Sequence, residues 1–192
     1  MPYRKNVFAK GCYYHAFNRG VNHQSIFFSD ENYKYCLRLI KKYMNKYFVT
    51  VIAYCLMPNH YHFLLRQDSD IPISRFINTL FNAYVQALNK QLGRSGPLFE
   101  GRFKHVLVDR DEYLVHLIRY IHYNPVEAKI VLKPGDYVYS NYLEWIERRN
   151  GDIKDRDFIS AYFPDTSDYI KFVSEYHIEK EMMEKMEKYL LD

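Results

Sequence analysis

Along this 192-residue chain, apolar positions recur with two different periods, and each switch between them marks the edge of an element. Residues 8–18 alternate loosely, are rich in Tyr and Phe, and read as a first strand ending at the turn-forming Asn18-Arg19-Gly20. Asp30 then has the character of a helix N-cap. Tyr33, Leu37, Ile40, Tyr43 and Met44 follow at helical spacing and predict a helix to about Tyr47. Two apolar runs, 51–57 and 63–65, meet at Pro58-Asn59, where Pro fixes φ and Asn tolerates positive φ. They predict a hairpin of strands 50–57 and 60–66. Asp68-Ser69-Asp70-Ile71-Pro72 breaks the pattern, and Phe76, Ile77, Leu80, Tyr84, Ala87 and Leu88 mark a second helix from Ile73 or Ser74 to Leu92. Beyond the loop at 93–97, residues 102–108 alternate as a fourth strand with Arg102 and Lys104 on one face. Asp109 or Asp111 caps a third helix, from Glu112 to about Tyr123, where Asn124-Pro125 interrupts it.

Strand, helix, strand, strand, helix, strand is the ferredoxin-like order of an α+β domain, here followed by the third helix. It predicts an antiparallel sheet with helices packed on one face and the other face open to a ligand. Residues 1–146 form the body on this reading. Residues 147–192 form an acidic extension, with a linker at 150–157 and one or two short helices at 168–191.

Charge sharpens that division. Residues 1–146 carry 19 Lys and Arg against 11 Asp and Glu, whereas residues 147–192 carry 8 against 12. A basic body attracts polyanions, nucleic acid first, and 20 Tyr and 13 Phe supply flat faces for unpaired bases. No run approaches the ~20 apolar residues of a membrane span, and the N-terminus lacks a signal-peptide pattern. Three widely spaced cysteines with no Cys-x-x-Cys suit reduced thiols, so a cytoplasmic protein is expected.

The chemistry concentrates at two places. His60 and His62 stand two apart at the start of the second hairpin strand, so both imidazoles leave one face, as a shared metal ion requires. Two unrelated histidines on an open sheet face would produce the same pattern, and a metal needs a third group. On the third helix Leu114, Leu117, Ile118 and Ile121 form the apolar stripe. Tyr120 and Asn124 lie one turn apart on its flank. A packing tyrosine and a helix-stopping Asn before Pro fit that placement too. His116, His122 and Lys104 are further polar groups in reach of proton or phosphate chemistry.

Three segments together, 56–65 (LMPNHYHFLL), 99–104 (FEGRFK) and 119–128 (RYIHYNPVEA), resemble the single-tyrosine HUH transposases, most of all the REP-associated tyrosine transposases. The resemblance runs from about residue 7 to about 145. It implies that His60 and His62 bind a divalent metal, that Asn124 completes the metal site, and that Tyr120 attacks DNA to leave a 5′-phosphotyrosine. Tyr61 is bulkier than the usual hydrophobe between the two histidines. The implied function is a DNA strand-cleaving and rejoining enzyme acting on structured single-stranded or hairpin DNA, with residues 1–146 as its catalytic domain. Arg19, Arg102, Lys104 and Arg119 are the expected DNA contacts. A ligand set without thiolate suits Mg²⁺ or Mn²⁺, with zinc or another transition metal left open. A structural zinc site lacks its four closed ligands. The alternative is a ferredoxin-like nucleic-acid-binding protein that performs no chemistry. Whether the protein is a monomer or a homodimer is not legible in the sequence.

Overall fold

The computed structural model, which describes residues 8–176, sets β1 (Tyr13–Arg19), β2 (Val49–Leu56), β3 (His60–Gln67) and β4 (Lys104–Val108) in one antiparallel sheet. Their spatial order is β2-β3-β1-β4, the ferredoxin-like order expected, with β1 and β3 inside. The helices are α1 (Asp30–Tyr47), α2 (Ile73–Leu92), α3 (Asp111–Glu127), α4 (Tyr142–Trp145), α5 (Arg156–Tyr162) and α6 (Thr166–Ser174). Most boundaries fall within a few residues of those the periodicity predicts. β1 starts later, because a turn closed by the Cys12 amide on the Ala9 carbonyl, with Gly11 at φ 81°, precedes it.

The two helices of the ferredoxin-like repeat share one face of the sheet as expected, and the correction concerns the other face, which α3 covers. Cys36 and Ile40 of α1 and Phe76, Leu80 and Tyr84 of α2 bury one face, against Tyr14, Phe63 and Leu65. Leu117, Ile118 and Ile121 of α3 bury the other, against Ile52 and Leu64. The cause lies in β2, whose apolar run leaves both of its faces needing cover: Val51, Ile52, Ala53, Tyr54 and Cys55 are all buried. The face expected to stay open is therefore covered by the helix that carries Tyr120.

Side chains bridge the expected division at 146/147. Ile153 joins the first core, and Phe158, Tyr169, Val173 and Tyr176 join the second, so packing runs straight across that boundary. Arg66 of β3 donates to the Asp155 carboxylate (2.9 Å), and Lys41 of α1 pairs with Asp152. The helical stretch expected at 168–191 is represented by α6; residues 177–192 lie outside the described residues.

Helix α3 begins at Asp111 after Arg110, with Asp111 and Glu112 complementing the N-terminal dipole in place of a side-chain cap. It continues through Pro125 to Glu127 instead of stopping at Tyr123. Proline in the last turn sacrifices one backbone bond. The Ala128 amide resumes the pattern on the Asn124 carbonyl at 2.9 Å.

Candidate active site

The β2–β3 hairpin holds its two histidines rigidly. Its two-residue turn, Pro58-Asn59, is closed by the Met57 amide on the His60 carbonyl (2.9 Å). The Gly20 amide bonds the Asn59 carbonyl (2.8 Å), and the Ile26 amide bonds the Pro58 carbonyl (2.7 Å). Asn59 does not use the positive φ that its residue type would allow. Its side chain has another task. Asn59 Nδ2 donates to the His23 carbonyl (3.2 Å), which turns Oδ1 toward His60 Nδ1 at 2.7 Å. An amide oxygen only accepts, so this contact calls for the His60 proton on Nδ1, while Asn124 Oδ1 makes the same demand at Nε2.

His60 Nε2 faces α3. His60 Nε2 lies 3.0 Å from Asn124 Oδ1, so the expected approach of Asn124 to the histidine pair is present in the structure. His60 and His62 have ring centroids 5.1 Å apart, crossed at 84°. The Tyr120 ring stands edge-on to His62, centroids 5.4 Å apart at 82°. All four residues thus meet at the seam between β3 and α3. Tyr61, between the histidines, points to the other face and stacks on Phe81 of α2 (4.1 Å), so its hydroxyl lies away from the site.

The donor set fits a cation. A neutral His60 has one N–H for two facing amide oxygens, so at one of them a ring lone pair meets an oxygen and the two repel unless a positive centre joins them or the amide turns to present its N–H. His62 Nε2 is buried and makes no hydrogen bond among the described residues, the condition of a ligand atom awaiting its ion. Burial pushes the His62 pKa well below the ordinary imidazole value, with His15 and His60 adding to the effect. Burial also lowers that of His60, partly offset by Asn124, with Arg19 lowering it further. Both rings are therefore neutral near pH 7, as metal ligation demands.

Sequence reasoning missed His15. It is fully buried on β1, and its Nε2 lies 3.0 Å from His62 Nδ1, with the two rings nearly parallel. No local motif announces it, because the contact spans 47 positions and depends on the β1–β3 register, in which His15 opposes Leu64 and Phe17 opposes His62.

The basic residues separate into two groups. Arg19 opposes His60 across the strands and pairs with Glu100 at 2.7 Å. Arg19, Glu100, Arg102 and Lys104 line a shallow cavity of about 140 Å³ beside the site. Lys104 also sits 6.0 Å above the Phe17 ring. Arg119 is corrected: at 1% exposure it faces the C-terminal helices, not solvent. It donates to the Phe172 carbonyl (3.2 Å), lies against the Phe172 ring (4.2 Å) and bonds His116. His122 likewise turns away from Tyr120, taking the Tyr169 hydroxyl proton on Nδ1 (2.5 Å) and donating from Nε2 to Asn141 Oδ1 (2.8 Å). Burial holds its pKa down at about 4, partly offset by that bond to Asn141. Sequence periodicity places these residues on α3 but does not reveal that the 147–176 segment covers them.

Among the described residues no helix is long and apolar enough to cross a membrane. The chain is 28% identical over 101 residues to a Haemophilus influenzae protein named as a REP-associated tyrosine transposase. That alignment takes in 47% of this chain and 57% of the relative, so the chain spans little more than half the relative's length. A solved structure of a REP-associated tyrosine transposase bound to a REP hairpin shares the fold, with a TM-score of 0.66 at 18% identity. It covers 81% of this chain and 94% of its own. The family described as transposase, IS200-like, matches residues 8–124. The matched span holds the hairpin histidines, Tyr120 and Asn124 together, and the chain belongs to the IS200-like transposase family.

Proposed function

We propose that this protein is a metal-dependent single-stranded DNA transferase that cuts and rejoins structured strands through Tyr120. The observation that carries the reading is the meeting of His60 Nε2 and Asn124 Oδ1 at 3.0 Å beside the unbonded His62 Nε2, with the Tyr120 ring directly against His62. A module that only binds DNA has no use for two neutral histidines and an amide gathered beside a tyrosine. His60, His62 and Asn124 hold the ion, Mg²⁺ or Mn²⁺ by the character of the donors. When bound, it supplies positive charge at a phosphate oxygen.

The remaining work falls to the chain itself. Helix α3, locked between the sheet and the C-terminal helices, fixes Tyr120 against the site and so supplies orientation. The Tyr120 oxygen bonds to phosphorus as the bond from phosphorus to the 3′ oxygen breaks. The phenol loses its proton, the departing 3′ oxygen gains one, and the 5′ phosphate stays on Tyr120. Tyrosine hydroxyls ionise near pH 10, well below alcohols. The phenolate is thus a competent leaving group when a 3′-OH attacks in the reverse direction, and the intermediate supports rejoining.

His60→Ala and His62→Ala each reduce Mn²⁺-dependent cleavage of a hairpin strand to background while hairpin binding survives. Asn124→Ala gives a smaller loss, since both imidazoles remain. Cleavage by the His60→Ala/His62→Ala double variant at the parental rate would remove the metal site from the account.

The substrate class follows from the surface and from the structural neighbour, which is bound to a REP hairpin. The rim of Arg19, Arg102 and Lys104 neutralises about three phosphates, giving a log K against log salt slope of roughly −2 for a single strand. Binding to a hairpin with a single-stranded flank exceeds binding to plain duplex. Equal affinity for both, or a flat salt response, contradicts that assignment.

A further inference from the structure

His62 presents a question that His60 does not. The amide oxygens of Asn59 and Asn124 flank the His60 ring, but among the described residues no amide or carboxylate meets His62. Its Nδ1 instead meets a second imidazole, His15 Nε2, at 3.0 Å, in a fully buried contact. One proton lies between those two nitrogens, and its owner decides what His62 offers the site. Were His15 Nε2 the donor, His62 would carry its proton on Nε2. That buried N–H has no hydrogen-bond acceptor among the described residues. The reverse arrangement puts the His15 proton on Nδ1, which likewise makes no hydrogen bond among the described residues, so each arrangement leaves one buried donor unsatisfied and the cation at the site separates them. With the proton on His62 Nδ1, the bond to His15 is kept and Nε2 becomes a lone pair that can hold a cation.

We propose that His15 is the positioning residue of the site: its Nε2 accepts the His62 Nδ1 proton, fixing the tautomer and ring angle that direct the His62 Nε2 lone pair inward. This rests on the reading of His62 as a metal ligand. β1 thereby holds the His62 ring as the hairpin turn holds that of His60, so each ligand is aimed by a different strand connection. Outer partners of this kind are worth 10–100-fold in metal affinity. His15 is well placed for the task. It is buried on an inner strand, and its ring lies nearly parallel to His62 (19°) and edge-on to Tyr120 (81°).

The test uses the full chain and Mn²⁺ alone, with free ion followed by electron paramagnetic resonance. His15→Leu keeps bulk but offers no acceptor, and Mn²⁺ affinity falls about 10–100-fold. His15→Gln, whose amide oxygen reaches about where Nε2 stood, recovers most of it. In parallel, long-range ¹H–¹⁵N correlation spectra of the Mg²⁺-saturated parental protein show His62 protonated on Nδ1. This last measurement needs no variant and survives any failure of His15→Leu to fold. His62 protonated on Nε2 in the Mg²⁺-saturated parental protein, or Mn²⁺ affinity unchanged in a folded His15→Leu, overturns the inference. His62→Ala separates the two claims: if it leaves Mn²⁺ affinity intact, the ligand reading itself fails. If it abolishes binding while His15→Leu does not, only the role of His15 falls.

Discussion

Ending the chain at Ile146 unfolds it. Such a truncation removes Phe158, Tyr169, Val173 and Tyr176 from the second core, where each is at most 6% exposed. Burial of a large apolar side chain stabilises by about 1.5–3 kcal/mol, so the four together contribute roughly 6–12 kcal/mol, against a total stability of about 5–15 kcal/mol for a domain. Two polar losses compound this. Arg119 loses the Phe172 carbonyl and ring that cover its guanidinium, and His122 loses the Tyr169 hydroxyl. The check is a denaturant titration followed by circular dichroism. A truncated protein that keeps a cooperative transition near the parental midpoint would show that the acidic extension is a true appendage.

Tyr120→Phe abolishes the covalent DNA adduct and leaves the fold intact. The substitution removes one oxygen and keeps the ring that stands against His62 and His15, so thermal stability and hairpin affinity stay near parental values. Tyr123→Phe is the matched control. Its ring lies about 60° away around the helix and stacks on Tyr176 (4.5 Å), part of the packing between α3 and the C-terminal segment. That variant still forms adduct. Loss of adduct in Tyr123→Phe with retention in Tyr120→Phe would exchange the two roles.

The hairpin histidines were legible because everything that places them is local. A Pro-Asn turn sets the strand start, and the period of a strand puts residues two apart on one face. The same holds for Tyr120 and Asn124, one turn apart on α3. What local pattern does not carry is which sheet face a helix covers. A clue was present: residues 51–57 form an unbroken apolar run, not an alternation, as a strand covered on both faces requires. Arg119 misled because a basic residue beside a candidate nucleophile suggests a phosphate contact. Only the fold brings Phe172 and Tyr176 over it. His15 was invisible for a related reason: its meaning comes from a strand register linking positions 47 apart, and nothing near residue 15 records it.

The central claim is that Tyr120 becomes joined to DNA, and peptide mapping by mass spectrometry tests it directly. The parental protein is incubated with Mn²⁺ and a hairpin strand carrying a cleavable flank, then digested with protease and nuclease. The account predicts a nucleotide linked through its 5′ phosphate to the peptide containing Tyr120, with a free 3′-OH on the released strand. A phosphotyrosine at Tyr123, Tyr113 or Tyr61 contradicts it. So does efficient cleavage with no covalent species under conditions that trap one, which would mark water as the nucleophile and the protein as a hydrolytic nuclease.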